Sequence, residues 1–85
     1  MQLSMPYFTG PQLRAARALL GWSARELADL SRVSLPTIQR IESSKGLPVS
    51  QERTLIDLKK TLEEAGVEFI GTPENDPGVK LKTRK

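Results

Sequence analysis

Three candidate helix starts in the first forty residues share one arrangement: an apolar residue, a hydroxyl residue directly after it, and a second apolar residue four places further on. The sets are Phe8-Thr9 with Leu13, Trp22-Ser23 with Leu27, and Val33-Ser34 with Ile38. A hydroxyl at a helix N-cap accepts a bond from an N–H that the first turn leaves orphaned. The apolar pair on either side of it staples the angle at which the chain enters the helix. Thr9 and Ser23 are followed three residues on by Gln12 and Glu26, whose side chains return a bond to the cap and complete a capping box. Helices are therefore predicted to start after residues 9, 23 and 34, and the last two starts lie so close that the helix between them is short.

The remaining elements follow from periodicity. Pro11 and Pro36 stand in first turns, where a missing N–H costs nothing. Helix 1 is predicted over residues 10–20, burying Leu13, Ala16, Leu19 and Leu20, with Gly21 as a left-handed C-cap. Helix 2 covers residues 24–30 and buries Leu27, Ala28 and Leu30; helix 3 covers residues 35–42 with Ile38 and Ile41 inward. Helix 4 spans residues 51–65, capped by Ser50, with Leu55, Leu58, Leu62 and Ala65 on one stripe, Ile56 beside it, and Gly66 as the stop. Residues 67–70 and 79–82 then read as strands around a turn rich in proline and glycine. A lone hairpin is barely stable in water, so this one needs helix 4 or the matching element of a second chain to lean on. The fold class is mainly α: four helices followed by a short C-terminal β-hairpin. Residues 1–8 are read as an N-terminal extension, 9–65 as the helical domain, 66–82 as the hairpin and 83–85 as a flexible tail.

Composition narrows the function. A chain of 85 residues makes one domain, and at this length folding hides only about 60–65% of the surface of the unfolded chain. With no cysteine and no histidine, disulfides and zinc sites with those ligands are excluded, which leaves tight helix packing or oligomerisation as the source of stability. The same absence removes the usual bases and thiol nucleophiles, and no glycine-rich phosphate loop joins a strand to a helix. Glu52, Asp57, Glu63 and Glu64 are scattered around helix 4 as solvated charge. The expectation is a protein that is no enzyme, with no cofactor, no metal and no evident small-molecule ligand. No apolar run approaches the ~20 residues that span a bilayer, and residues 1–8 carry no basic residue of a secretory leader; a cytoplasmic location is expected. Charge is distributed unevenly. Arg14, Arg17, Arg25, Arg32, Arg40 and Lys45 outweigh Glu26, Asp29 and Glu42 in the front half. Acids dominate residues 47–78, and Lys80, Lys82, Arg84 and Lys85 make the end basic again. One face suited to a polyanion fits this pattern, as does ordinary solubilising charge.

Helices 2 and 3, joined through only Ser31 to Val33, have the dimensions of a helix-turn-helix, whose second helix lies in the major groove. A plain helical hairpin carries the same caps and spacing. The stretch Leu20-Gly21-Trp22-Ser23-Ala24-Arg25-Glu26-Leu27-Ala28, followed by Val33-Ser34-Leu35-Pro36-Thr37-Ile38-Gln39-Arg40-Ile41-Glu42, resembles the phage Cro/C1-type (XRE) helix-turn-helix of small bacterial and phage transcriptional regulators. The likeness covers roughly residues 9–62. The tail, Gly66-Val67-Glu68-Phe69-Ile70 with Gly78-Val79-Lys80-Leu81, looks like a terminal hairpin of some small bacterial members. Two positions depart from the family pattern: Arg32 stands where a turn glycine is usual, and Ala24 where glutamine is frequent.

The resemblance implies double-stranded DNA as the partner, a repressor or activator of transcription, and a homodimer on an inverted repeat. Leu35, Pro36, Thr37, Gln39 and Arg40 become the candidate base-reading residues. Leu35 and Pro36 suit thymine methyl groups, Arg40 suits the O6/N7 edge of guanine, and Gln39 suits adenine or a phosphate. Ser23, Arg25, Arg32, Ser43, Ser44 and Lys45 are candidates for phosphates, which position a protein without specifying sequence. By the same resemblance Arg17 and Glu42 form a structural ion pair. Val67, Phe69, Ile70, Val79 and Leu81, with the apolar side of helix 4, are the candidate dimer surface. Two rival readings stay open: an antiactivator that binds a regulator protein through the apolar Leu35-Pro36 tip, and an antitoxin that binds both DNA and a toxin.

Overall fold

The computed structural model describes residues 7–82; residues 1–6 of the N-terminal extension and the tail, 83–85, lie outside them. The elements, in order, are α1 (Gly10–Leu20), α2 (Ala24–Ser31), α3 (Leu35–Ser43), α4 (Glu52–Glu64), β1 (Val67–Thr72) and β2 (Asn75–Leu81). The first three helices start as their caps dictate. Thr9 N–H donates to Gln12 Oε1 at 2.7 Å while Gln12 N–H donates to Thr9 Oγ1 at 3.1 Å. Ser23 and Glu26 exchange the equivalent pair at 2.6 and 3.0 Å. Ser34 Oγ accepts from Thr37 N–H at 3.3 Å. The staple residues Phe8, Leu13, Leu27, Val33 and Ile38 all lie in the core, with Trp22 packed at its edge.

That core is a single cluster: Phe8, Leu13, Ala16, Leu27, Val33, Ile38, Ile41, Leu55, Leu58, Leu62 and Val67. Phe8, assigned from sequence to the extension before the domain, has no exposed surface and stacks at a tilt on Phe69 with ring centroids 5.6 Å apart. Several expected core positions are corrected. Leu19 is 42% exposed and Leu30 is 59% exposed. On α2 the inward stripe runs from Leu27 to the residue four further on, Ser31, which is buried and accepts the Val33 N–H on its hydroxyl at 3.2 Å. Leu30 is left on the flank. On α1 the stripe through Leu13 and Ala16 continues to Leu20, so Leu19 turns outward. Ile56 flanks the buried Leu55-Leu58-Leu62 stripe, as expected from the sequence. Ser50 is not the cap of α4: the N-cap is Gln51, which makes no side-chain capping bond.

The hairpin is longer than expected. β1 and β2 pair antiparallel with Val67 opposite Leu81 and Phe69 opposite Val79, and only Pro73 and Glu74 lie outside the strands at the tip. Gly71, Pro77 and Gly78, assigned to the turn, are instead built into the strands around an irregularity between Ile70 and Thr72. Gly71 allows it: φ is 73°, and a Cβ there would overlap the backbone of Asp76. Pro77 lies within β2, which has no second strand beyond it, so its missing N–H interrupts no ladder on that side. The hairpin packs against α1 and α4 of its own chain. Gln12 ties it down, because its Nε2 donates to the carbonyl oxygens of Gly78 at 2.9 Å and Ile70 at 3.4 Å. At the other side of α1, Gly10 meets the end of α3, where a Cβ would overlap the carbonyl oxygens of Ser44 and Ile41.

Candidate nucleic-acid interface

α2 ends at Arg32, whose backbone has φ 66° and ψ 19°. A residue with a Cβ adopts this left-handed region at a cost of about 1–2 kcal/mol. Here the conformation lets the Arg32 N–H close the helix on Ala28 O at 2.9 Å and aims the chain into the Ser34 cap of α3. The side chain of Arg32 is left outside, where it lines one open concavity with Arg25, Asp29, Ser34 and Leu35. Two guanidinium groups therefore flank the start of α3.

α3 itself has two distinct sides. Ile38, Ile41 and Glu42 are buried, and Pro36, Gln39 and Arg40 are exposed. Leu35 and Thr37 are half-buried, and Thr37 Oγ1 accepts a bond from the Ser34 hydroxyl at 2.8 Å. The helix is held in place by an unusual concentration of donors on α1. Arg17 engages Glu42 in bidentate fashion, with Nε to Oε2 at 2.7 Å and Nη2 to Oε1 at 2.9 Å. Its third nitrogen donates to Trp22 O at 2.9 Å, so one guanidinium joins α1, the loop before α2 and the end of α3. Arg14 Nη1 adds a bond to the backbone oxygen of Glu42. The side chains of Arg17 and Glu42 are 22% and 9% exposed. The hydrogen bond that Arg17 donates to Glu42, opposed by burial and helped by the carboxylate's charge, raises the pKa of Arg17 above its ordinary value. A raised value means that this stabilisation is complete below the unfolded pKa and is lost only when pH climbs through the folded one, far above neutrality.

The candidate phosphate contacts divide into two groups. Arg25, Arg32 and Lys45 are exposed. Ser23 Oγ accepts the Glu26 N–H and keeps its own proton to offer. The hydroxyls of Ser43 and Ser44 have donated theirs, to Gln39 O at 2.8 Å and to Gly46 O at 3.0 Å, so neither is a ready phosphate donor. The segment after α3 contributes more than the sequence suggested. Val49, Ser50, Gln51 and Thr54 form a groove with Thr37 and Arg40, and the Arg40 Nη1 donates to the Val49 carbonyl at 2.6 Å. Residues 46–49 carry no assignment from the sequence, and a contact made through a backbone oxygen leaves no signature there.

Among the candidate dimer residues, Val67 is withdrawn: it is 1% exposed and belongs to the chain's own core. The apolar stripe of α4 is consumed in the same way. Phe69 and Val79 are half-buried against that core, and only Ile70 and Leu81 keep more than two-fifths of their surface, at 41% and 44%. Among the described residues, no helix is long and apolar enough to cross a membrane.

No curated protein matches the chain. A family model described as helix-turn-helix does match, over residues 13–50, from the first buried leucine of α1 through α2, the Arg32 turn and α3 to the threshold of α4. Over those residues the chain is similar to the Cro/C1-type helix-turn-helix, a DNA-binding regulatory domain.

Proposed function

We propose that the protein is a sequence-specific regulator of transcription that lays α3 in the major groove of double-stranded DNA. The observation that carries this reading is the two-sidedness of α3. Its inner side is locked to α1 through Glu42, and its outer side offers Pro36, Gln39 and Arg40 with Leu35 and Thr37 at the margin. Arg40 supplies the strongest base contact, a bidentate grip on guanine O6 and N7, while Leu35 and Pro36 meet thymine methyl groups. Arg25, Arg32, Lys45 and the Ser23 hydroxyl hold the flanking phosphates.

Fluorescence anisotropy against the duplex upstream of the protein's own gene and a scrambled duplex, over a salt series, tests this directly. The native duplex binds more tightly, and Arg40→Ala removes roughly 5- to 150-fold of the preference, which corresponds to the worth of one bidentate pair. Both proteins keep a steep salt dependence, because the phosphate contacts are shared. Equal, weak binding to both duplexes, unchanged by the substitution, overturns the reading and directs attention to a protein groove for the Leu35-Pro36 tip.

A single unit of this kind reads few base pairs, so the proposal includes a homodimer on an inverted repeat with half-sites one helical turn apart, about 34 Å. Ile70 and Leu81 are the hairpin residues left to form it. Leu81→Glu is expected to yield a folded monomer in sedimentation velocity, with unchanged circular dichroism and weakened operator binding. A wild type already monomeric at DNA-binding concentrations removes the dimer from the proposal.

A further inference from the structure

Arg40 is exposed and sits in the last turn of α3, where an unpaired arginine samples many rotamers. It is not unpaired. One of its five N–H groups is held at 2.6 Å by the Val49 carbonyl, and the other four have no partner among the described residues. The acceptor is itself fixed from both sides. Pro48, directly before it, is buried, and α4 begins three residues after it. Upstream, Gly46 O accepts the Gly10 N–H at 3.1 Å and the Ser44 hydroxyl, so the segment is anchored to α1 as well. The Val49 side chain takes no part in this anchoring, being 88% exposed.

Resting on the reading of Arg40 as the guanine contact, we propose that Val49 is a positioning residue for base recognition: its carbonyl holds the Arg40 guanidinium over the outer face of α3 before DNA arrives. A fork with one tine tied to the loop still has the donors for a bidentate grip on guanine. Because its stem is already ordered, less rotamer freedom is lost on binding, and the guanine preference rises without any added contact to DNA. The loop after α3 is then a part of the sequence-reading apparatus although its own contribution touches no base.

The test is a double-mutant cycle between Val49→Gly and Arg40→Ala on the duplex of the preceding section, with 7-deazaguanine placed at each guanine in turn. The cycle addresses the guanine whose N7 matters to the wild type and not to Arg40→Ala. Glycine at 49 removes an exposed side chain and frees the orientation of the carbonyl, so the fold is retained, which a melting curve verifies. The expected result is a loss of roughly fivefold in preference for that guanine in Val49→Gly, and no further loss when the glycine is added to Arg40→Ala. In the free protein, nitrogen-detected NMR shows slow rotation of the Arg40 guanidinium in the wild type and fast rotation in Val49→Gly. If Arg40→Ala leaves every guanine preference intact, base reading by Arg40 fails, and the role of Val49 falls with it. If Arg40→Ala loses the preference but Val49→Gly keeps it in full, the positioning role alone is overturned. A glycine effect of the same size in both backgrounds also overturns it, since the loop then acts independently of Arg40.

Discussion

Arg17→Ala lowers the stability of the domain by about 3–5 kcal/mol, the penalty for stranding one member of a buried ion pair. For a chain of this size that is a large share of the total, which at typical values per residue is about 4–13 kcal/mol. The expected melting temperature falls by more than about 12 °C. The cost arises because Glu42 stays behind, its side chain 9% exposed and its two oxygens without the donors that fill them in the wild type. Glu42→Ala costs less. The arginine it leaves is more accessible, at 22%, and still donates to Trp22 O. Replacing both residues by apolar ones of similar length, Arg17→Met with Glu42→Leu, costs less than Arg17→Ala alone, because no charge is stranded. Thermal melts of the variants check the order. Equal melting temperatures for wild type and Arg17→Ala would show that the pair is screened by solvent and that α3 is held by packing alone. The deficit is insensitive to pH across the neutral range, because the raised Arg17 pKa keeps the pair intact there.

Phe8→Ala carries the second large effect, about 3–5 kcal/mol for emptying a fully buried aromatic position. Phe8 has no exposed surface, staples the start of α1 and stacks on Phe69, so the vacated space lies beneath the hairpin. Phe69 loses its ring neighbour at once, and faster amide hydrogen exchange is expected in β1 before α2 and α3 are affected. Phe8→Leu, which refills most of the volume, recovers most of the loss in a melting experiment. A wild-type melting curve for Phe8→Ala would place the domain boundary after residue 8 and would contradict the burial of its ring.

The elements legible in the sequence were those specified by neighbours three or four residues apart. Thr9 with Gln12 and Ser23 with Glu26 determine a helix start from local chemistry alone, and the corresponding bonds are all present. The short joint between α2 and α3 was equally local. Legibility declined where a residue had two candidate faces or a distant partner. Leu30 and Ser31 compete for the inward side of α2, and the hydrophobicity of leucine argues for the wrong one; the geometry of the turn to Val33 selects the serine. Gln12 reads as half of a capping box, and nothing near it in sequence announces that its amide also reaches Ile70 and Gly78. Val67 looked like one apolar strand residue among several, yet its alternation places it on the inner face with nothing left to offer a second chain. In the candidate site, residue type pointed to Arg40 and could not disclose the Val49 carbonyl, because every residue has a carbonyl.

The bonds from Gln12 to the hairpin also bear on how the chain folds. The two carbonyls that its amide reaches lie 58 and 66 residues away, and the Phe8 contact with Phe69 spans a similar length. Loop closure over such separations must be met before these contacts return anything, whereas α2 and α3 meet across a three-residue turn. The reading pair can therefore assemble early and locally. The clasp between the first helix and the hairpin closes late, and the folding rate falls below that of a helical bundle of the same length. In a chain without cysteine, a side-chain amide and two stacked rings join the two ends of the domain where a small secreted protein would use a covalent bond.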